Sequence, residues 1–262
     1  MGARLWLTPI AWTALFAEYE TGDFGARAGP VRDEPPPAPF QDDGGVPGTP
    51  VVVANSRGPE TLIDLVAELG PLATAGAVEQ AAAAGEFVVL SVPLTATTAI
   101  PAALLEGRTV VDTSNYYPFR DGRIPVLDAD EFTTGELVQR HFAGAQLVKA
   151  FNNILAHHIP ALARPAGVPD RTALPIAGND AAAKTRVAAL IDRFGFDTVD
   201  TGTLAESWRF EPEAAAYTRL YLADPTTPDE RLLEAPAGTV PAARLVSALE
   251  GAQRVRVAER TF

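Results

Sequence analysis

The chain has 262 residues, 47 % of them hydrophobic and 21 % charged, enough length and apolar content for a globular core. Its 21 Lys+Arg against 33 Asp+Glu give a formal charge of −12, which disfavours a nucleic-acid partner. It has no cysteine and only 3 histidines, two of them adjacent at His157 and His158, so disulfides, a thiol nucleophile and a bound metal are not expected.

Residues 1–50 stand apart from the rest. The apolar run Leu5–Ala17 spans 13 residues and contains Pro9. It is too short to cross a bilayer, and no A-x-A cleavage pattern accompanies it, so neither a membrane anchor nor export is expected and the cytoplasm is the expected location. From Pro30 to Pro50 there are seven prolines in 21 residues. Proline lacks a backbone donor and fixes φ, so this stretch reads as a linker.

From residue 51 to about 204 short apolar runs alternate with alanine-rich helical runs. Val51–Ala54 reads as a strand buried on both faces. Pro59 opens a helix that places Leu62, Leu65, Val66 and Leu69 on one side and stops at Gly70. Ala77–Ala84 continues as helix, Phe87–Val92 as strand, Thr97–Leu105 as helix, and Thr109–Asp112, Gln146–Phe151 and Ala173–Ala177 as strands. Asp180–Phe194 is a helix that Asp180 can cap, and Thr198–Asp200 is the last strand. Strands separated by helices imply parallel βαβ units, so the expected fold is a Rossmann-like doubly wound parallel α/β sheet over residues 51–204. Residues 205–262 lose this rhythm and read as a C-terminal extension, with a covering helix over Pro241–Gln253.

Such sheets bind ligands beyond the carboxyl ends of their strands, and those ends are where the polar residues cluster. Asn55-Ser56-Arg57-Gly58 follows the first strand. A carboxylate at that position would hydrogen-bond the ribose 2′-hydroxyl of NAD. A hydroxyl with an arginine suits the 2′-phosphate of NADP instead, and a plain polar turn is the alternative. Ser91-Val92-Pro93 turns the chain across the sheet edge, as a ligand contact or a simple strand stop. Asp112-Thr113-Ser114-Asn115 is a third polar end. In Lys149-Ala150-Phe151-Asn152-Asn153-Ile154 the paired amides suit a carboxamide or a ring carbonyl, or else a turn. Ala177-Gly178-Asn179-Asp180 reads as helix capping.

The ordered strings VVVANSRGPETL, VVLSVP, TVVDTSNYYPFRDG, VKAFNNI, PIAGNDAAAK and RFGFDTVDTGTLAESWRFEP, within residues 51–222, resemble the NADPH-dependent coenzyme F420 reductase family. The resemblance implies a Rossmann domain, a C-terminal part that helps hold the deazaflavin, and hydride transfer between NADP and F420. That chemistry works by positioning, so no acid–base catalytic residue is implied. Ser56 and Arg57 match the family's 2′-phosphate pair, with Asn55 beside them also expected to bind cofactor, and Val92 and Pro93 match its ribose and diphosphate loop. Ala150, Asn152 and Ile154 fall on the ring-stacking segment, and Thr203–Arg209 on a late loop near the deazaflavin. Arg209 fits either an acidic F420 tail or solvent. The implied partners are small-molecule cofactors and, as is common in the family, a second copy of the chain. A flavin- or iron-directed relative using the same NADPH face is a further reading.

The family opens with a strand, a G-x-G-x-x-G turn and a helix, whose backbone amides meet the diphosphate. This sequence has no G-x-G-x-x-G, and Gly44-Gly45-Val46-Pro47-Gly48 leaves no room for a helix before Val51. Two arrangements fit. Arg4–Thr8 and Ala11–Glu20 can supply the strand and helix, with Pro9 where an amide is needed. Otherwise residues 1–50 are foreign to the fold and the sheet is left with a gap that exposes two strand edges. Either arrangement weakens diphosphate binding, and a scaffold without activity is the alternative function.

Overall fold

The computed structural model describes residues 50–260. The expected Arg4–Thr8 strand, the Ala11–Glu20 helix and the proline-rich linker up to residue 49 lie outside the described residues.

The first strand, β1 (Val51–Val53), pairs in parallel with β2 (Ala73–Ala75). Between them run a 3₁₀ turn, Pro59–Leu62, and helix α1 (Ile63–Leu69). Proline suits the start of this turn because its missing N–H would go unused there. Helix α2 (Val78–Ala84) then leads to β3 (Phe87–Leu90). A second sheet has the order β3, β4 (Thr109–Asp112), β5 (Gln146–Lys149), β6 (Ala173–Gly178) and β7 (Asp197–Asp200).

Both faces of this sheet are covered. Val110 and Leu147 pack into a cluster with Leu90, Leu105, Phe142 and Leu204. Their neighbours Val111 and Val148 point the other way, into the main core with Phe87, Ile176 and Val187. Strands buried on both sides need continuous apolar runs, which is why TVVD and QLVK lack the alternation of a half-exposed strand. Residues beyond 204 share the main core through Phe210, Ala216, Tyr221, Val240 and Leu245. Helix α7 (Ala181–Arg193) lies over β6 and β7, and Asp180 caps it by accepting the Ala183 N–H at 2.7 Å. Helix α8 (Ala242–Glu250) covers part of the same sheet.

The fold is α/β with a mostly parallel, Rossmann-like sheet; β1 is only half-buried at Val51 and Val52, the strands from Phe87 and Gln146 end two residues early at Leu90 and Lys149, and three larger details differ from expectation. First, β6 runs antiparallel to β5, with Lys149 opposite Ala177 and Val148 opposite Gly178. The Gly178–Asp180 end therefore points toward the amino end of β5, away from the other polar strand ends. Second, the expected Thr97–Leu105 helix is two 3₁₀ segments, Leu94–Ala99 and Ala102–Leu105. Pro101 between them cannot donate into a helix ladder. Third, β2 and a set of short helices were not foreseen: α3 (Pro118–Asp121), α4 (Pro125–Asp128), α5 (Thr134–His141) and α6 (His158–Leu162). No helix among the described residues is long and apolar enough to cross a membrane.

Candidate functional site

Among the described residues the two sheets share no strand pairing, and a cleft of about 600 Å³ separates them. One wall is the run 50–57, from β1 into its following loop; the facing wall is the run 87–93, from β3 to Pro93. Of the residues expected to bind cofactor, the cleft gathers Asn55, Ser56, Arg57, Val92 and Pro93.

The loop after β1 is built locally. Asn55 Oδ1 accepts the Arg57 N–H at 2.9 Å, and Asn55 Nδ2 donates to the Thr61 hydroxyl at 2.9 Å. Asn55 therefore shapes the turn, as Asx side chains do. Gly58 has φ +100, a backbone conformation that favours glycine over any residue with a Cβ. The result exposes Ser56 and Arg57 at the lip of the cleft. Ser91 is among the lining residues, and its hydroxyl oxygen is buried without a hydrogen-bond partner.

The ends of β4 and β5 form a second, buried assembly. Lys149 Nζ lies 3.0 Å from Asp112 Oδ2 and donates to the Ser114 carbonyl at 2.5 Å, and both side chains of this ion pair are fully buried. Asp112 Oδ1 accepts the Ser114 N–H at 3.0 Å, so the pair fixes the turn after β4. One residue on, Asn115 Nδ2 donates to the Asn152 carbonyl at 2.7 Å, and Asn152 Nδ2 returns to Asn115 Oδ1 at 3.1 Å. Asn152 also donates to the Phe210 carbonyl at 2.9 Å, and Asn153 to the Ala216 carbonyl at 2.8 Å. Phe151, between β5 and these amides, has φ +61, an uncommon conformation for a side-chain-bearing residue that turns the chain sharply. Ala150 and Ile154 are buried in the main core. Thus Ala150, Asn152 and Ile154 do not line the cleft.

Sequence reasoning missed the tyrosines of this region. The Tyr117 and Tyr217 hydroxyls share a short hydrogen bond, and Asn115 Nδ2 approaches both, at 3.3 and 3.2 Å. Burial, reinforced by the neighbouring Tyr217 phenol, pushes the Tyr117 pKa well above the usual phenol value. Nothing local in the sequence marks Tyr217 as the partner of Tyr117. Arg209 is tied down by Glu206 at 2.8 Å and donates to the Leu249 carbonyl at 3.1 Å.

The arrangement, a polar lip at the end of β1 facing a proline turn at the end of β3, lies where Rossmann-like α/β sheets bind ligands. A family model described as NADP oxidoreductase, coenzyme F420-dependent, matches residues 41–116. A hypothetical protein of Sinorhizobium meliloti is 31 % identical with a TM-score of 0.52, over 64 % of this chain and 81 % of that one. A candidate F420-dependent NADP-reductase of Arthrobacter sp. FB24 is 30 % identical with a TM-score of 0.50, over 60 % of this chain and 76 % of that one. No curated protein matches. The chain belongs to the coenzyme F420-dependent NADP oxidoreductase family.

Proposed function

We propose that this protein binds NADP through the loop after β1 and passes a hydride between the nicotinamide and a deazaflavin of the F420 type. The observation that carries the reading is the meeting of Ser56, Arg57 and Pro93 at one cleft, at the carboxyl ends of β1 and β3. The Ser56 hydroxyl and the Arg57 guanidinium supply a donor and a forked cation for a 2′-phosphate, and residues 54–58 hold no carboxylate to favour an unphosphorylated ribose, Glu60 being the nearest in sequence. Val92 and Pro93 offer backbone beside the ribose and diphosphate. These residues fit the adenosine end of the cofactor. For the diphosphate the sequence has no G-x-G-x-x-G, so affinity below that of glycine-loop relatives belongs to the reading.

Bound NADPH would supply the hydride, and the protein's part is to hold and orient. Ser56 and Arg57 anchor the far end of the dinucleotide, which fixes how far its ring end reaches. Asn152 holds Asn115 and the Phe210 carbonyl in place, so it orders the chain that follows β4 and β5. A homodimer is the family's implied assembly and is part of the proposal.

Two measurements test it on the full chain: NADPH titration by fluorescence, then mixing with F420 while following the deazaflavin absorbance. Saturable NADPH binding with loss of F420 absorbance supports the reading. NADPH binding without F420 turnover points to another acceptor, and the absence of NADPH binding points to a scaffold without activity.

A further inference from the structure

Residues 254–260 end the described chain as an arm laid across the stretch between β4 and α5, and its ties there are uneven. We propose that this arm is a latch. It opens apart from the sheet and, when closed, clamps the chain after β4 to the chain that carries Phe210. None of its residues lines the cleft between the two sheets, so the latch stands apart from the NADP reading and does not depend on it.

Arg260 is the clamp. Its side chain is 3 % exposed and reaches two segments at once, with Nη1 3.4 Å from the Tyr116 carbonyl and Nη2 3.9 Å from Glu211 Oε2. Asn152 ties the same two segments one residue earlier, through Asn115 and the Phe210 carbonyl, so Arg260 doubles that tie. Glu211 in turn fixes the start of α5. Its Oε1 accepts the Thr134 N–H at 3.0 Å, and its Oε2 accepts the Thr134 hydroxyl at 3.0 Å. An N–H in the first turn of a helix has no carbonyl within the helix to bond, so the shelter of the Thr134 amide depends on Glu211 and on what covers it.

The same contacts show how the latch opens. N–H···O bonds of ordinary strength are about 2.9–3.0 Å long. Among the described residues, the arm makes one such bond to the rest of the chain, from Arg123 Nη1 to the Ala258 carbonyl at 3.0 Å. Arg254 Nη2 lies 3.2 Å from the Asp130 carbonyl, and the Val257 nitrogen 3.5 Å from the Asp130 carboxylate. Arg260 Nε is buried without a partner among the described residues, beside a cavity of about 10 Å³ that Arg260 lines together with Glu211 and Thr133. A buried guanidinium held this loosely regains hydration when the arm lifts. Val257 opposes that as the one buried apolar side chain of the arm, packed in the cluster of Tyr116 and Leu127. A segment with so few buried apolar contacts belongs to the low-stability end of a fold, where local opening precedes global unfolding.

Amide hydrogen exchange, followed residue by residue on the full chain, tests the latch. In the parent protein the Glu259 and Arg260 amides, bonded only within the arm, should exchange about a hundredfold or more faster than those of β4 and β5. Val257→Ala trims the anchor by two carbons and should speed the arm amides and the Thr134 amide about tenfold, with β4 and β5 unchanged. The sequence has no cysteine, so Arg123→Cys with Ala258→Cys gives one addressable pair at exposed positions. Joining that pair with a short bis-maleimide should slow exchange in the arm and at Thr134 about tenfold against the same variant left unjoined. The pair leaves the buried anchor intact, so it decides the question even if Val257→Ala fails to fold. Arm amides as protected as β4 and β5, a Val257→Ala protein in which all amides speed up alike, a Thr134 amide that ignores the arm, or a pair that does not join or exchanges alike joined and unjoined would each overturn the latch.

Discussion

Replacing Lys149 with methionine isolates the electrostatic part of the strand-end assembly. Lys149 and Asp112 are both fully buried, 3.0 Å apart, and the ammonium also meets the Ser114 carbonyl at 2.5 Å. Methionine fills most of the space of the lysine stem, so little cavity opens. What remains is the Asp112 carboxylate, with the Ser114 N–H at 3.0 Å on one oxygen and the other deprived of its cation. Breaking a buried pair from one side costs about 3–5 kcal/mol, because the surviving charge is stranded in a low dielectric. Against a typical net stability of about 5–15 kcal/mol, that is a large fraction. The double variant Lys149→Met with Asp112→Asn removes both charges and leaves the amide oxygen to accept the Ser114 N–H. It should recover all but about 1–2 kcal/mol. Urea denaturation at neutral pH, comparing the parent, the single variant and the double variant, reads these differences. A single variant within about 1 kcal/mol of the parent, or a double variant no better than the single, would refute the argument from charge burial.

Other perturbations have equally definite outcomes. His158 is buried, its Nε2 faces the Ala235 carbonyl at 2.8 Å and its Nδ1 has no partner, so burial lowers its pKa below the usual 6.5. As pH falls through that value the unfolded chain takes up a proton that the folded one refuses, so stability should fall toward acid; His158→Gln should flatten that slope in denaturation series. Thr133 accepts the Glu136 N–H at 3.1 Å, receives a carboxylate on its own N–H at 2.8 Å and donates to the Leu204 carbonyl at 2.9 Å. Thr133→Ala should therefore cost about 1–2 kcal/mol in chemical denaturation. Gly195 has φ +91, and an added Cβ would meet the Arg164 nitrogen at 2.7 Å, so Gly195→Ala should lower the thermal midpoint clearly, by strain of about 1–3 kcal/mol.

The sequence made the local features readable and left the long-range ones hidden. Runs such as TVVD and QLVK announce strands covered on both sides because they hold no polar residue in mid-run; the first has its expected bounds, and the second stops at Lys149, two residues short of the expected Phe151. The direction of β6 carries no such mark. The stretch between β5 and β6 contains only the five-residue helix α6, and a strand reads the same in either direction. Strand β2, three residues of ATA, is too short and too poor in β-branched side chains to stand out. The same division holds at the site. Ser56, Arg57 and Pro93 lie in loops that follow recognisable strands, so chain position alone brought them to one cleft. The meeting of Asn115 with Tyr217, 102 residues apart, depends on how the C-terminal part folds back over β5. No spacing rule encodes that. The orphaned oxygen of Asn152 likewise exists only once its neighbours are in place.

The central claim concerns which nucleotide the loop after β1 prefers, and calorimetric titration of the parent and Arg57→Ala with NADPH and with NADH addresses it directly. Removing a forked, charge-assisted contact to a phosphate should weaken NADPH by about tenfold to a hundredfold and leave the weaker NADH nearly unchanged, erasing the preference. Equal losses for both nucleotides, or a parent protein that binds NADH as tightly as NADPH, would contradict the assignment of Ser56 and Arg57 to the 2′-phosphate.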